Sequence, residues 1–220
     1  MRLVSVTVDL TEVPKNLALR ATRPDLLFAF CGVHPSNASR SGVVEDSLRR
    51  FAEESDGLGE IGLDTRYSEV SRDSAQMTTF VQQLEIAEKL GKPVEVHSRG
   101  SERTCLDLLG TYTLKRVLMH WFEGEEQLDE VVSRGYFVSF GPALLYSSKL
   151  GRIVRKMDSN LILTESDAPV AFRALDGIGG PHTIPSVLFR ILELRGGNNF
   201  DELAVTVSTN LDRFVAKQGN

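Results

Sequence analysis

Residues 74–99 read SAQMTTFVQQLEIAEKLGKPVEVHSR. Met77, Phe80, Val81, Leu84, Ala87 and Leu90 recur at i, i+3, i+4 and i+7, the pattern of an amphipathic helix, and Gly91 and Pro93 stop it. The run Pro93–His97 that follows is short, apolar and β-branched, which suits a buried parallel strand, and it ends on polar residues. The same rhythm runs through the chain. Further apolar runs are Leu3–Val8, Leu26–Gly32, Gly57–Leu63, Arg116–Trp121, Tyr136–Phe140 and Leu161–Thr164, which makes seven strands in all. Further helical stretches are Val43–Ser55, Glu125–Arg134, Leu144–Met157, Ser186–Leu194 and Phe200–Lys217. Strands alternating with helices imply a parallel sheet joined by right-handed crossovers.

Seven parallel strands fit an open doubly wound sheet or a barrel. The first strand–helix turn has no G-x-G-x-x-G fingerprint and no P-loop occurs anywhere. Polar residues cluster instead at the C-terminal ends of several strands, where a barrel gathers its active site. The expected fold is therefore α/β, a TIM-like (β/α) barrel, with residues 1–220 as a single domain. An eightfold barrel takes about 250 residues, and this chain has 220, about one βα unit fewer.

Composition removes several classes. No stretch approaches the ~20 apolar residues of a membrane span. The first residues, MRLVSVTVDLTEVPK, do not read as a secretory signal. Cys31 and Cys105 stand alone in apolar contexts, which argues against a disulfide scaffold and for a reducing cytoplasm. A net charge of −5 does not suggest wholesale wrapping of nucleic acid.

Four strands end in Glu60, His97, His120 and Asp167, and three of the four histidines sit at strand ends. Carboxylates and imidazoles converging on one face make a site for divalent metal ions. Each residue also has a plainer reading. Glu60 in an apolar run reads as a salt-bridged structural residue, either histidine as a hydrogen-bonded polar group, and Asp167 before Ala168-Pro169 as a turn former. His34 before Pro35 is open between the two, and His182 reads as a loop residue. Glu95 shares the strand parity of His97 and should face the interior, as a buried ion-paired group or as an acid beneath the site.

The segments Gly59-Glu60-Ile61-Gly62-Leu63-Asp64, His97-Ser98-Arg99, His120-Trp121-Phe122 and Glu165-Ser166-Asp167-Ala168-Pro169, in this order and spacing, resemble the TatD-type metal-dependent deoxyribonucleases of the amidohydrolase superfamily. Gly32-Val33-His34-Pro35 and the late Thr209-Asn210 before Phe214 extend the resemblance over the whole chain. It implies a TIM-like barrel carrying one or two divalent cations, Mg, Mn or Zn, and hydrolysing phosphodiester bonds. Glu60 would bridge two metals, His97 and His120 would ligate one, and Asp167 would ligate the other and accept a proton from the attacking water. Arg66 and Arg99 would receive phosphates of a nucleic acid or nucleotide substrate, with His34 beside them. The alternative for the arginines is solvated charge or pairing with Asp64.

The chain departs from that family in places. The family's opening strand ends in His-x-His, which this chain lacks, and Leu3–Val8 corresponds to the second strand. Four of six ligating side chains remain, so one metal keeps three ligands and the other two. Trp121 stands where the family usually has Cys, and Gly100 where it often has Asp or Glu. Either a native start lies upstream, or a seven-stranded barrel is left with a gap that a homodimer or a displaced segment would close. The competing functions are a hydrolase of a small ester or amide on the same scaffold and a non-catalytic barrel remnant used as a binding or assembly module.

Overall fold

Each of the seven apolar runs forms a strand, trimmed at its ends: β1 (Leu3–Ser5), β2 (Leu27–Cys31), β3 (Gly57–Gly62), β4 (Val94–His97), β5 (Val117–Met119), β6 (Phe137–Phe140) and β7 (Ile162–Thr164). The computed structural model describes residues 2–38, 45–67, 74–173 and 177–216. They fall into two compact units, Met1–Met119 with Phe214–Asn220, and His120–Arg213.

In the first unit β1 to β5 lie side by side in chain order, each parallel to the next. The helices are α1 (Val13–Thr22), α2 (Glu45–Glu54), α3 (Ala75–Leu90) and α4 (Glu102–Leu109). α3 is the helix read from residues 74–90. Ser74 caps it by accepting from the Met77 amide at 3.2 Å, and Gly91, at φ 61°, closes it. All six residues of β3 are buried, as a strand covered on both faces requires. Phe30, Leu58, Ile61, Phe80 and Leu84 are fully buried, and the Phe30 ring packs on Phe214 at 5.7 Å. Burying such side chains is worth about 1.5–3 kcal/mol each.

The second unit holds β6 and β7, paired in parallel, with α5 (Leu128–Ser133), α6 (Ser148–Lys156), α7 (Ile184–Leu194) and most of α8 (Phe200–Val215). Asn210 on α8 donates from Nδ2 to the carbonyls of Ser159 and Ile162, both at 2.8 Å, and so ties the helix to the entry of β7.

Two helices were not anticipated. α1 begins with a proline in its first turn, and α4 is two turns long with Cys105 as part of its apolar face. Two expected helices are split. Glu125–Gln127 and Pro142–Leu145 are single 3₁₀ turns, after which α5 and α6 start afresh, α6 under a Ser147 cap. Val43, Val44 and Lys217, at the margins of expected helices, lie outside the described residues. No helix among the described residues is long and apolar enough to cross a membrane.

Candidate functional site

In the first unit the strand ends gather His34, Glu60, Asp64, His97 and Arg99. Glu60 is the fourth residue of β3. Its amide donates to the Thr7 carbonyl at 3.0 Å, while the Thr7 hydroxyl bridges the amide and carbonyl of Gly32 at 3.0 and 3.2 Å. The chain beyond β1 therefore fixes the backbone at Glu60 and the turn leading to His34. Gly62 makes room for β4: at φ 140°, a side chain there would start 1.9 Å from the His97 carbonyl oxygen.

The Glu60 carboxylate lies 2.7 Å from His97 Nδ1 and 3.6 Å from His34 Nε2. One ligand atom from each of these three residues lies within 4.8 Å of the others. The far side of His97 is anchored, with Nε2 2.7 Å from Asp64 Oδ2. Asp64 is fully buried. Its carboxylate also meets Arg99 Nη2 at 2.6 Å and accepts from the Arg66 amide at 2.8 Å. Burial pushes the Asp64 carboxyl up, but Arg99, the Arg66 amide and His97 outweigh it and hold the group below its usual range.

His34 is oriented differently. The Ser36 amide donates to its Nδ1 at 3.2 Å, so Nδ1 is an acceptor and Nε2 carries the hydrogen. His34 thus points an N–H donor at Glu60. Glu60 and His97 are thus the candidate cation-binding pair of this unit, with the Asp64 carboxylate on the far side of the histidine.

Helix α3 sets these loops through two side chains the sequence reading passed over. Gln83 accepts from the Val33 amide at 2.7 Å and donates to the Val33 carbonyl at 3.1 Å. Gln76 does the same for Asp64, at 2.8 and 3.0 Å. Both are buried, and their seven-residue spacing on the apolar face of α3 was the available signal. Glu95 is buried too, against β3: a Cβ added to Gly59 would lie 2.9 Å from the Glu95 Cβ.

The second unit carries His120, Glu165 and Asp167. His120 follows β5 directly, and Asp167 lies three residues past β7. Glu165 Oε2 meets His120 Nδ1 at 2.7 Å and accepts from the Ser139 hydroxyl of β6. Asp167 Oδ1 is 3.6 Å from His120 Nε2. Gly141 leaves space for the Glu165 side chain, whose Oε1 is buried with no hydrogen-bond partner. An orphaned carboxylate oxygen next to an imidazole and a second carboxylate is the donor chemistry a divalent cation takes. Asp167 and Trp121, at φ 46° and 39°, are the positive-φ residues other than glycine among those described. Such backbone costs about 1–3 kcal/mol per residue and concentrates at functional sites.

Within the first unit Glu60 meets His97, and within the second His120 lies by Asp167. Of the arginines, Arg99 pairs with Asp64 and stacks over Tyr67 at 5.5 Å from the ring centre, whereas the Arg66 side chain is exposed. Asp64, expected as a partner for arginine, also holds His97, and Glu165 lies in a quoted motif without an expected role. Both cysteines are free and buried, and burial pushes the Cys31 thiol up to about 11, which suits core packing.

Comparison with known proteins places the whole chain. The family model described as TatD related DNase matches residues 1–216. The human protein "Deoxyribonuclease TATDN3" is 26% identical, the match covering 96% of this chain and 83% of that one. An "Uncharacterized metal-dependent hydrolase" of Haemophilus influenzae is also 26% identical, over 88% of this chain and 80% of its own. The crystal structure of YJJV, a TatD homolog from Escherichia coli K12, matches with a TM-score of 0.82 and 25% identity, covering 97% of this chain and 85% of that one.

Proposed function

The chain belongs to the TatD related DNase family, and from that premise we propose that it cleaves phosphodiester bonds in DNA, with residues 1–220 acting as one domain. It is a TatD-like metal-dependent hydrolase with the TIM-like (β/α) barrel fold of its solved relatives. The observation that carries the catalytic reading is the Glu60–His97 contact at 2.7 Å, buried and braced from behind by Asp64.

In this reading Glu60, His97, His120 and Asp167 are the metal-binding donors, for one or two ions of Mg, Mn or Zn. A bound divalent cation supplies Lewis acidity that polarises a phosphoryl group and acidifies water. Asp167 accepts the proton of the attacking water. Asp64 and Glu165 hold the two imidazoles in the orientation that presents a lone pair. His34, whose Nε2 lies 3.6 Å from Glu60 Oε1, offers an N–H to a substrate oxygen. Arg66 and Arg99 receive phosphates, and the exposure of Arg66 supports its part.

Two further points belong to the proposal. The free, buried cysteines support a reducing cytoplasm. The half-buried residues of β1 support self-association through that strand edge, and a clean monomer by light scattering at micromolar concentration removes this point. The nuclease assignment is tested by hydrolysis of single-stranded DNA with Mg²⁺ or Mn²⁺, with bound metal counted by elemental analysis. The expected result is metal-dependent cleavage that is lost in Glu60→Ala. Equal activity in the two proteins overturns it.

A further inference from the structure

The second unit holds an aromatic surface that the metal chemistry does not use. Trp121, the sole tryptophan of the chain, follows His120 directly and is held in the left-handed region at φ 39°. Its ring packs on Phe172 with centroids 5.5 Å apart and planes at 35°. Phe172 is buried, while Trp121 keeps part of its surface open. The His120 ring stands perpendicular to the indole at 6.5 Å. The next residue after Phe172, Arg173, lies 4.5 Å over the ring of the exposed Tyr146.

The residue after Trp121, Phe122, is fully buried, whereas the indole is not. Here the backbone adopts a conformation that disfavours a bulky residue, and the indole remains partly exposed beside the histidine. We propose that Trp121, backed by Phe172, is a stacking platform for an unpaired nucleobase of the substrate strand beside His120 and Asp167, with Arg173 supplying charge for the strand's phosphates. Aromatic faces interleaved with arginine are how single-stranded nucleic acids are held without sequence readout, because every base offers a π-face. The inference rests on the nuclease reading and narrows it to substrates with single-stranded character at the cleaved end.

The test uses the full chain in EDTA, where binding is read without turnover. Emission from a lone tryptophan reports on position 121 alone. A ten-nucleotide thymidine strand should quench it saturably, and an abasic strand of equal length should not. By anisotropy of the labelled strands, Trp121→Ala should bind the thymidine strand about 5- to 150-fold more weakly and lose the preference over the abasic strand. Trp121→Phe should keep that preference. Equal quenching by the abasic strand, or none by either, overturns the platform, and so does a Trp121→Ala protein that weakens on both strands alike. If Trp121→Ala fails to fold by circular dichroism, the native quenching and the Trp121→Phe protein decide. Strand hydrolysis with Mn²⁺ is followed in parallel on the native chain. Base-dependent quenching without hydrolysis sinks the nuclease reading but leaves the platform. Hydrolysis without base-dependent quenching sinks the platform alone.

Discussion

His97 and His120 are each bracketed by two carboxylates, but in opposite senses. His97 is anchored at Nε2 by Asp64 and presents Nδ1 to Glu60, both at 2.7 Å. His120 is anchored at Nδ1 by Glu165 at 2.7 Å and presents Nε2 to Asp167 at 3.6 Å. The supports differ as well. Around His97 the backbone is clamped: Thr7 holds Glu60 through its carbonyl and Gly32 through its hydroxyl, and the side chains of Gln76 and Gln83 hold Asp64 and Val33. Around His120 the two presented residues, Trp121 and Asp167, sit on left-handed backbone, and a carboxylate oxygen of Glu165 has no partner. At the first centre both carboxylates are partnered and the buried atom lacking a partner among the described residues is a donor, Arg99 Nε, so the group reads as pre-organised to hold its carboxylates. The second stores strain and an unmet acceptor, which suits a group that must change its proton or its partner during a reaction.

The sharpest way to break this contrast is to remove the presented carboxylate from each centre. Glu60→Ala should abolish both bound metal and hydrolysis. Asp167→Asn should lower kcat by about 100- to 10,000-fold, the usual worth of a positioned proton acceptor, while retaining more metal than Glu60→Ala does. Elemental analysis and single-turnover cleavage of a labelled strand read the two effects separately. Equal metal loss in both proteins would mean that the centres do not divide the work.

The sequence made the strands and the chemistry of the presented residues legible, because apolar runs between helices are a strong signal and a glutamate or histidine at their ends is conspicuous. It left the supports dark. Gln76 and Gln83 are polar residues on an apolar face, and their value lies in contacts 12 and 50 positions away in the chain. The left-handed φ of Trp121 has no signature, because a bulky aromatic ordinarily avoids that region, while Asp167 is of a type that tolerates it but far more often sits elsewhere. Asp64 looked like a partner for arginine, which it is, but its second role at His97 exists only once β3 and β4 are paired.

A second, smaller effect tests the clamped centre alone. Gly62→Ala would place a methyl group 1.9 Å from the His97 carbonyl oxygen at a φ of 140°. Something must shift, and the neighbour it meets is backbone of β4, which is held on both sides by β3 and β5. Stability should fall by about 3 kcal/mol or more, at the upper end of what single substitutions do, as measured by urea denaturation. A Gly62→Ala chain as stable as the native one would show that β3 and β4 give way easily at the site and that the first centre is not pre-organised.

The mildest changes fall on the two anchors. Removing the outer carboxylate of a ligating histidine typically lowers metal affinity about 10- to 100-fold. Asp64→Asn should lie at the upper end and Glu165→Gln at the lower, for a reason visible in their partners. The Asp64 oxygen Oδ2 serves both His97 Nε2 and Arg99 Nη2. An asparagine carbonyl in place of Oδ2 can keep both donors, but its amide then faces the backbone N–H of Arg66, donor against donor. Glu165 serves His120 and the Ser139 hydroxyl through one oxygen and leaves the other unused. A glutamine carbonyl can take over both bonds, and its amide replaces an oxygen that had no partner to lose. Competition of a fluorescent chelator for Zn²⁺ or Mn²⁺ measures the order. If Glu165→Gln costs more than Asp64→Asn, the unpartnered oxygen of Glu165 is itself a cation ligand, and the second centre carries three donors rather than two.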